Sequence, residues 1–152
     1  MRRITEPARE IDVVHETDVL VVGSGPGGLA AALASARAGV RTTLVERYGC
    51  FGGNITQVGV EGFAWYRHAA TVDSEGIGPE FESRAKVMGA AMPEPQSISH
   101  ALDAEMFKYV ADVLVQEAGI EPMLHRSFVA PVLQDGAIIG VITESKAGRE
   151  AI

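Results

Sequence analysis

Apolar positions in this chain follow two rhythms, and the switching between them lays out its elements. Residues 18–22 (Asp-Val-Leu-Val-Val) form a short β-branched run, the pattern of a strand covered on both faces. Residues 41–45 read as a second strand, and residues 122–126 as a third lying parallel beside the first two. Between the first two, an alanine-rich segment predicts a helix over residues 26–38, with Arg37 in the last turn and Gly39 as the stop. Another helix is expected over residues 77–89, with Pro79 near its first turn and Phe81, Ala85 and Met88 on one face; Met92-Pro93-Glu94-Pro95 breaks it. Asp103 can cap a further helix through Ala118, stopped by Gly119. Its Phe107, Val110, Ala111 and Leu114 fall at i, i+3, i+4 and i+7, while Lys108, Asp112 and Gln116 face away, so the helix turns one stripe toward a core. Residues 128–134, the Asp135-Gly136 turn and residues 137–145 give a hairpin pattern, and a turn at Ala147-Gly148 leads into residues 149–152. The class is therefore α/β: a parallel sheet with helices, of Rossmann-like type, followed by an antiparallel three-stranded β-meander. Residues 1–17 are charged and only weakly alternating (Ile11, Val13, Val14), and read as a leader packed loosely ahead of the first strand, with His15 at its surface.

The chemistry concentrates where the first strand meets the first helix. Gly23, Gly25 and Gly28 stand in the spacing G-x-G-x-x-G, with Pro26 and Gly27 inside it. The three glycines serve different ends. Gly23 allows the tight turn, Gly25 lets a pyrophosphate approach the backbone, and Gly28 lets the helix settle on the sheet. The helix opening at Pro26 points its amides and positive dipole end at the phosphates. Glu46 ends the second strand, near the roughly 20-residue spacing at which such sites place an acid. Its carboxylate is suited to accept hydrogen bonds from both ribose hydroxyls of an adenosine, and it repels a 2′-phosphate. The motif alone leaves FAD and NAD both open.

The continuation favours the flavin. Glu46-Arg47 is followed, after four residues, by Gly52-Gly53. This run resembles the E-R/K-x4-G-G of glutathione-reductase-type FAD-binding domains, where a second glycine pair closes over the pyrophosphate and ribityl chain. Thiol-disulfide members of that group carry a cysteine pair in a G-G-x-C-x4-C pattern, and here Ile55 and Val60 occupy the two cysteine places. A dithiol mechanism through this helix is excluded, and Cys50 reads as a small packing residue. The Gly-Gly-Asn run is more similar to fumarate-reductase and succinate-dehydrogenase-type flavoproteins and the broad group of FAD-dependent oxidoreductases. The resemblance implies that Asn54 and Thr56 contact the pyrophosphate or flavin, that Gly59 and Gly62 leave room beside the ring, and that the backbone near Val129 meets the adenine. His125, in the third strand, reads as a structural histidine, and His100 as an exposed loop residue.

Residues 63–68 (Phe-Ala-Trp-Tyr-Arg-His) gather aromatic and basic groups within what reads as an insertion at about residues 57–102. They suit either a flavin-proximal wall, with Arg67 and His68 as the catalytic candidates holding an anion or moving a proton, or an interdomain packing surface. Asp73-Ser74-Glu75-Gly76 reads as a polar turn.

Composition narrows the partners. The chain has 152 residues, 47% hydrophobic and 22% charged, enough for one core but not two full domains. A formal charge of −7 argues against nucleic acid as a partner. One cysteine cannot make an internal disulfide, which fits a reducing cytoplasm. No signal peptide or membrane-length apolar run is present, and no metal-ligating pattern is assigned.

By the resemblance, the chain supplies the N-terminal part of an FAD-dependent oxidoreductase that passes a hydride between a small organic substrate and the flavin. Such enzymes continue with a returning parallel strand, a later ribityl-binding segment and a substrate domain, expected here from the same longer chain or a partner subunit. Two other readings remain: the NAD-binding domain of a dehydrogenase, and a non-catalytic dinucleotide-binding subunit active only in a complex. A homo-oligomer is left open.

Overall fold

The computed structural model describes residues 1–63, 66–68, 71–72, 74–94 and 99–152. The chain opens with β1 (Val19–Val22), α1 (Pro26–Arg37), β2 (Thr42–Val45) and α2 (Asn54–Val58). Next come β3 (Gly62–Phe63), β4 (Arg67–His68), β5 (Thr71–Val72), α3 (Ile77–Val87), β6 (Ala91–Pro93) and β7 (His100–Leu102). It closes with α4 (Ala104–Glu117), β8 (Glu121–Met123), β9 (Ser127–Gln134), β10 (Ala137–Ser145) and β11 (Gly148–Ala151).

The parallel sheet has the order β1-β2-β8. Val22 lies opposite Val45, and Val45 opposite Met123, so the strand ends align on one edge. The two-residue period of a strand sends alternate side chains to opposite faces. Leu44 and Val21 join the helices on one side, packed with Leu29, Leu33, Phe107, Val110 and Leu114. Val45 and Leu20 go to the other, against Val141 and Ile152 of the meander side. The parallel sheet is therefore a middle layer, and every residue of β2 is buried. Each fully buried Leu, Val or Phe adds about 1.5–3 kcal/mol to this arrangement.

The expected amphipathic helix is α4: Phe107, Val110, Ala111, Leu114 and Val115 are buried. Asp103 caps it by accepting from the Met106 amide at 3.0 Å. Gly119 follows at φ 68, a left-handed conformation that glycine adopts without penalty. The meander has the order β11-β10-β9, all antiparallel. Its β9–β10 register jumps twice, leaving Ile139 and Val129 without an opposite residue.

Four sequence expectations change. The leader is not loose: Val14 donates to the Ala151 carbonyl at 3.0 Å, and Ala151 donates to the Asp12 carbonyl at 2.9 Å, extending the β11 edge. His15 is half-buried, its Nε2 lying 2.9 Å from the Thr43 hydroxyl. His100 is in β7 rather than a loop, and its Nδ1 sits 3.4 Å from the buried Glu82 carboxylate, which also holds Lys86. His125 is exposed and lies past the end of β8, at φ 57 with its ring against Gly49. The strand stops at Met123 because Leu124 and His125 turn the chain toward β9.

The segment between α2 and α4 adds a three-stranded sheet of order β3-β7-β6 and a two-stranded antiparallel sheet of β4 and β5. α3 ends at Val87, with Gly89 at φ 76 just beyond it, before the break foreseen at Met92-Pro93; those two residues lie instead in β6, paired with β7. Phe63 of β3 and Phe81 of α3 both pack edge-on to Phe107, with centroids 6.0 Å and 6.3 Å away. Among the described residues no helix is long and apolar enough to cross a membrane.

Candidate functional site

The cradle is made of backbone. Gly23 leaves β1 at φ 96, and its amide donates to the Val45 carbonyl at 2.8 Å, holding the turn against β2. Gly25 is the N-cap of α1 and supplies no side-chain cap; the first turn that follows carries Pro26 and no acidic residue. The helix N-terminus thus retains amides and a positive dipole end for an external anion. A Cβ added to Gly25 or Gly27 would meet nothing within 4 Å, so the space above them is open. One added to Gly28 would strike the Gly23 carbonyl, so α1 rests directly on the turn.

Gly52 and Gly53 complete the cradle. The Gly52 amide donates to the Ser24 carbonyl at 3.0 Å. Gly53 holds φ 55 and ψ −116, and a Cβ there would sit 2.5 Å from the Gly25 Cα. Two glycine loops separated in sequence therefore touch main chain to main chain, where a side chain on Gly53 would force them apart. This open concavity lined by amides fits a diphosphate.

Glu46 lies beside it, only 6% exposed. Its Oε2 accepts from the Ser24 amide at 2.8 Å and the Ser24 hydroxyl at 2.6 Å. Its Oε1 accepts from the Tyr48 amide at 3.0 Å. Burial pushes the carboxyl up, but the Ser24 hydroxyl and the amides of Tyr48, Ser24 and Arg47 outweigh it and hold it below its ordinary value. The carboxylate is thus ionised at neutral pH, and each of its oxygens already accepts at least one hydrogen bond from the chain itself. Sequence reasoning passed over Ser24; its one signal was a hydroxyl residue in the middle of G-x-G.

The other candidates are spread around this centre. Arg47 is exposed, its guanidinium 4.6 Å from the Tyr48 ring centroid and 2.7 Å from the Tyr48 hydroxyl. Asn54 is exposed at the start of α2. Thr56 is buried and donates its hydroxyl to the Phe51 carbonyl at 2.7 Å, which ties α2 to the glycine pair. Gly59 ends α2 in the left-handed conformation, at φ 77. Cys50 lies 2.6 Å from Gln57 Nε2. Val129 is the extra residue of the β9 bulge, three positions after Arg126, whose amide donates to the Glu46 carbonyl at 2.9 Å.

Arg67 and His68 form β4, paired antiparallel with Val72 and Thr71. Their neighbours Ala64 and Trp65 lie outside the described residues, as does Asp73 of the expected polar turn. Phe63 is 5% exposed and belongs to the core rather than to a wall. Tyr66 is half-buried beside Gly78, and burial, with the Glu82 charge, raises its phenol above the ordinary value.

A cavity of about 620 Å³ lies elsewhere, along the outer edge of β1 between the N-terminal segment and the meander. Val13, His15, Leu20, Ile139 and Ile152 line it. Among the described residues β1 pairs only with β2, so this edge is bare.

The strand order, the amide-lined turn and the acid at the end of β2 together define a dinucleotide-binding domain of Rossmann type. Residues 18–152 match the family model described as FAD dependent oxidoreductase, and the chain belongs to that family. Of the two dinucleotides that the glycine motif left open, FAD is the one this family uses. A stretch of 57 residues is 47% identical to a thiamine thiazole synthase of Metallosphaera sedula, covering 38% of this chain and 19% of that one. A stretch of 44 residues is 48% identical to a leghemoglobin reductase of Glycine max, covering 29% and 8%. The fold is similar to Thermovibrio ammonificans THI4, with TM-score 0.65 and 19% identity over 90% of this chain and 53% of that one. It is also similar to a flavocytochrome c3 fumarate reductase in its open conformation, with TM-score 0.58 and 20% identity over 92% and 32%. The chain thus spans about half or less of these proteins.

Proposed function

We propose that this chain is the FAD-binding N-terminal part of a flavin-dependent oxidoreductase that passes a hydride between a small organic substrate and the flavin. One observation carries the reading: two glycine loops in main-chain contact leave an open, amide-lined concavity next to a buried, ionised carboxylate. When bound, FAD supplies the redox-active ring. The chain's own residues do the rest. The amides at the start of α1, the open face over Gly25 and Gly27, and the Gly52-Gly53 backbone hold the diphosphate. Glu46 accepts from the ribose, Arg47 flanks the adenosine end, Asn54 and Thr56 border the pyrophosphate or ribityl chain, and the Val129 backbone meets the adenine. Arg67 holds an anionic substrate group and His68 moves a proton. The bare β1 edge and its 620 Å³ cavity suit a further strand, supplied by the rest of the same chain or by a partner subunit. The single cysteine fits a cytoplasmic setting.

An absorbance spectrum of the natively purified protein tests the cofactor. Flavin bands, and FAD recovered after denaturation, are expected; a colourless protein that takes up no added FAD contradicts the proposal. For the catalytic pair, small carboxylates are titrated against the flavin spectrum. Arg67→Ala abolishes the response without changing the spectrum of the free enzyme, and an undiminished response removes Arg67 from the site.

A further inference from the structure

Glu46 is held by a residue that the glycine motif does not specify. Ser24 is fully buried, between Gly23 and Gly25, and reaches a carboxylate 22 residues further along the chain. It gives Oε2 two donors, amide and hydroxyl, while Oε1 receives the Tyr48 amide. A carboxylate oxygen has about two lone-pair directions, and the two Ser24 bonds fill Oε2. Oε1 takes one direct hydrogen bond, from Tyr48, the Arg47 amide acting on the carboxylate without forming one, and so keeps a direction for an outside donor. We propose that Ser24 is a positioning residue for the cofactor: its hydroxyl latches Oε2, fixes Glu46 in the ionised state, and leaves Oε1 to grip the ribose. This rests on the FAD reading and adds to it a pH limit.

Charge from neighbouring elements does not fix the ionised state. Arg47 and Tyr48 follow Glu46, but the guanidinium lies over the tyrosine ring. From beyond β8, His125 donates its amide to the Tyr48 carbonyl, and the Arg126 side chain is paired with Glu150 of β11. The first turn of α1 carries no acid, and Pro26, Gly27 and Gly28 cannot titrate. The carboxylate depends instead on hydrogen bonds, with the Ser24 hydroxyl foremost among them. Once protonated, Glu46 would lose acceptor capacity on one oxygen, and its hold on the ribose would weaken.

The test is a carbon-13 NMR titration of the Glu46 carboxyl in the flavin-free chain, its signal assigned with Glu46→Gln. Ser24→Ala is expected to raise the midpoint by about one to two units, a ten- to hundredfold change in the protonation equilibrium, while Ser24→Thr keeps it low. A midpoint within a few tenths of wild type in Ser24→Ala overturns the latch. If the alanine variant does not fold, Ser24→Cys, a weaker donor of nearly the same shape, carries the same test; an unmoved midpoint there counts equally against it. In a second arm, FAD retention is followed by fluorescence as pH falls. Ser24→Ala releases FAD at a higher pH than wild type, by the same displacement as its NMR midpoint. Release at an unchanged pH, despite a shifted midpoint, overturns the ribose half of the proposal. A wild-type chain that takes up no FAD at any pH overturns the cofactor reading itself, while the NMR result still decides the latch.

Discussion

The glycine cradle and the segment between α2 and α4 are built on opposite principles. In the cradle, main chain touches main chain: Gly53 against Gly25, Gly52 bonded to Ser24, Gly28 seated on Gly23. In the segment, side chains hold strands of two or three residues: Phe63 and Phe81 on Phe107, and Glu82 with Lys86 and His100. At Gly28 and Gly53 the backbone contact leaves no room for a side chain, so it fixes the spacing of the turns that meet there. A contact made through side chains can be repacked by compensating substitutions.

Breaking the link between the two should give the largest effect. Phe107 is fully buried in the core cluster that holds Phe63 and Phe81 of the segment together with Leu29 of α1, so Phe107→Ala is expected to cost about 3–5 kcal/mol in denaturant unfolding. A single transition at lower denaturant is expected; two separated transitions would show the regions to be independent. Gly53→Ala strikes the cradle alone. Its left-handed backbone and the 2.5 Å approach to Gly25 predict about 1–3 kcal/mol of strain and loss of bound flavin, measured by melting and absorbance. Flavin retained at wild-type affinity would argue that the loops can separate without harm.

Acid should then distinguish the two regions. Glu46 titrates below its ordinary value in the folded chain, so it binds a proton more readily when unfolded. The stability it contributes is fully present above the ordinary carboxyl range and is lost as pH falls through the lower folded value. Glu46→Gln should flatten that part of the stability–pH curve, and an unaltered curve would contradict this. The smallest effect belongs to the surface bridge between α1 and α3. Arg37 pairs with both Glu80 oxygens at 2.7 Å, but both residues are substantially exposed. Arg37→Ala should shift unfolding by less than about 1 kcal/mol.

The same contrast explains what could be read from residues alone. Backbone contact needs glycine, and glycine is visible in the sequence, so Gly23, Gly25, Gly28, Gly52 and Gly53 mark the cradle. The stripe of α4 and the alternation of β9 and β10 are long enough to show a period. Two-residue strands such as β3 show none, and β6 and β7 were hidden because Pro93 and His100 read as breaker and loop. The link from Ser24 to Glu46 and the pairing of residues 12–14 with Ala151 depend on approaches that only the fold creates. His125 takes φ 57 with its ring on Gly49, which no local pattern announces.

The most direct measurement replaces the glycine whose surroundings are empty. Gly25 has φ −59, and a methyl group there meets nothing within 4 Å, so Gly25→Ala should fold with a loss of at most about 1 kcal/mol. The added methyl occupies the space assigned to the diphosphate, and FAD affinity should fall at least tenfold in a fluorescence titration. A stable Gly25→Ala chain that binds FAD as tightly as wild type would contradict the account.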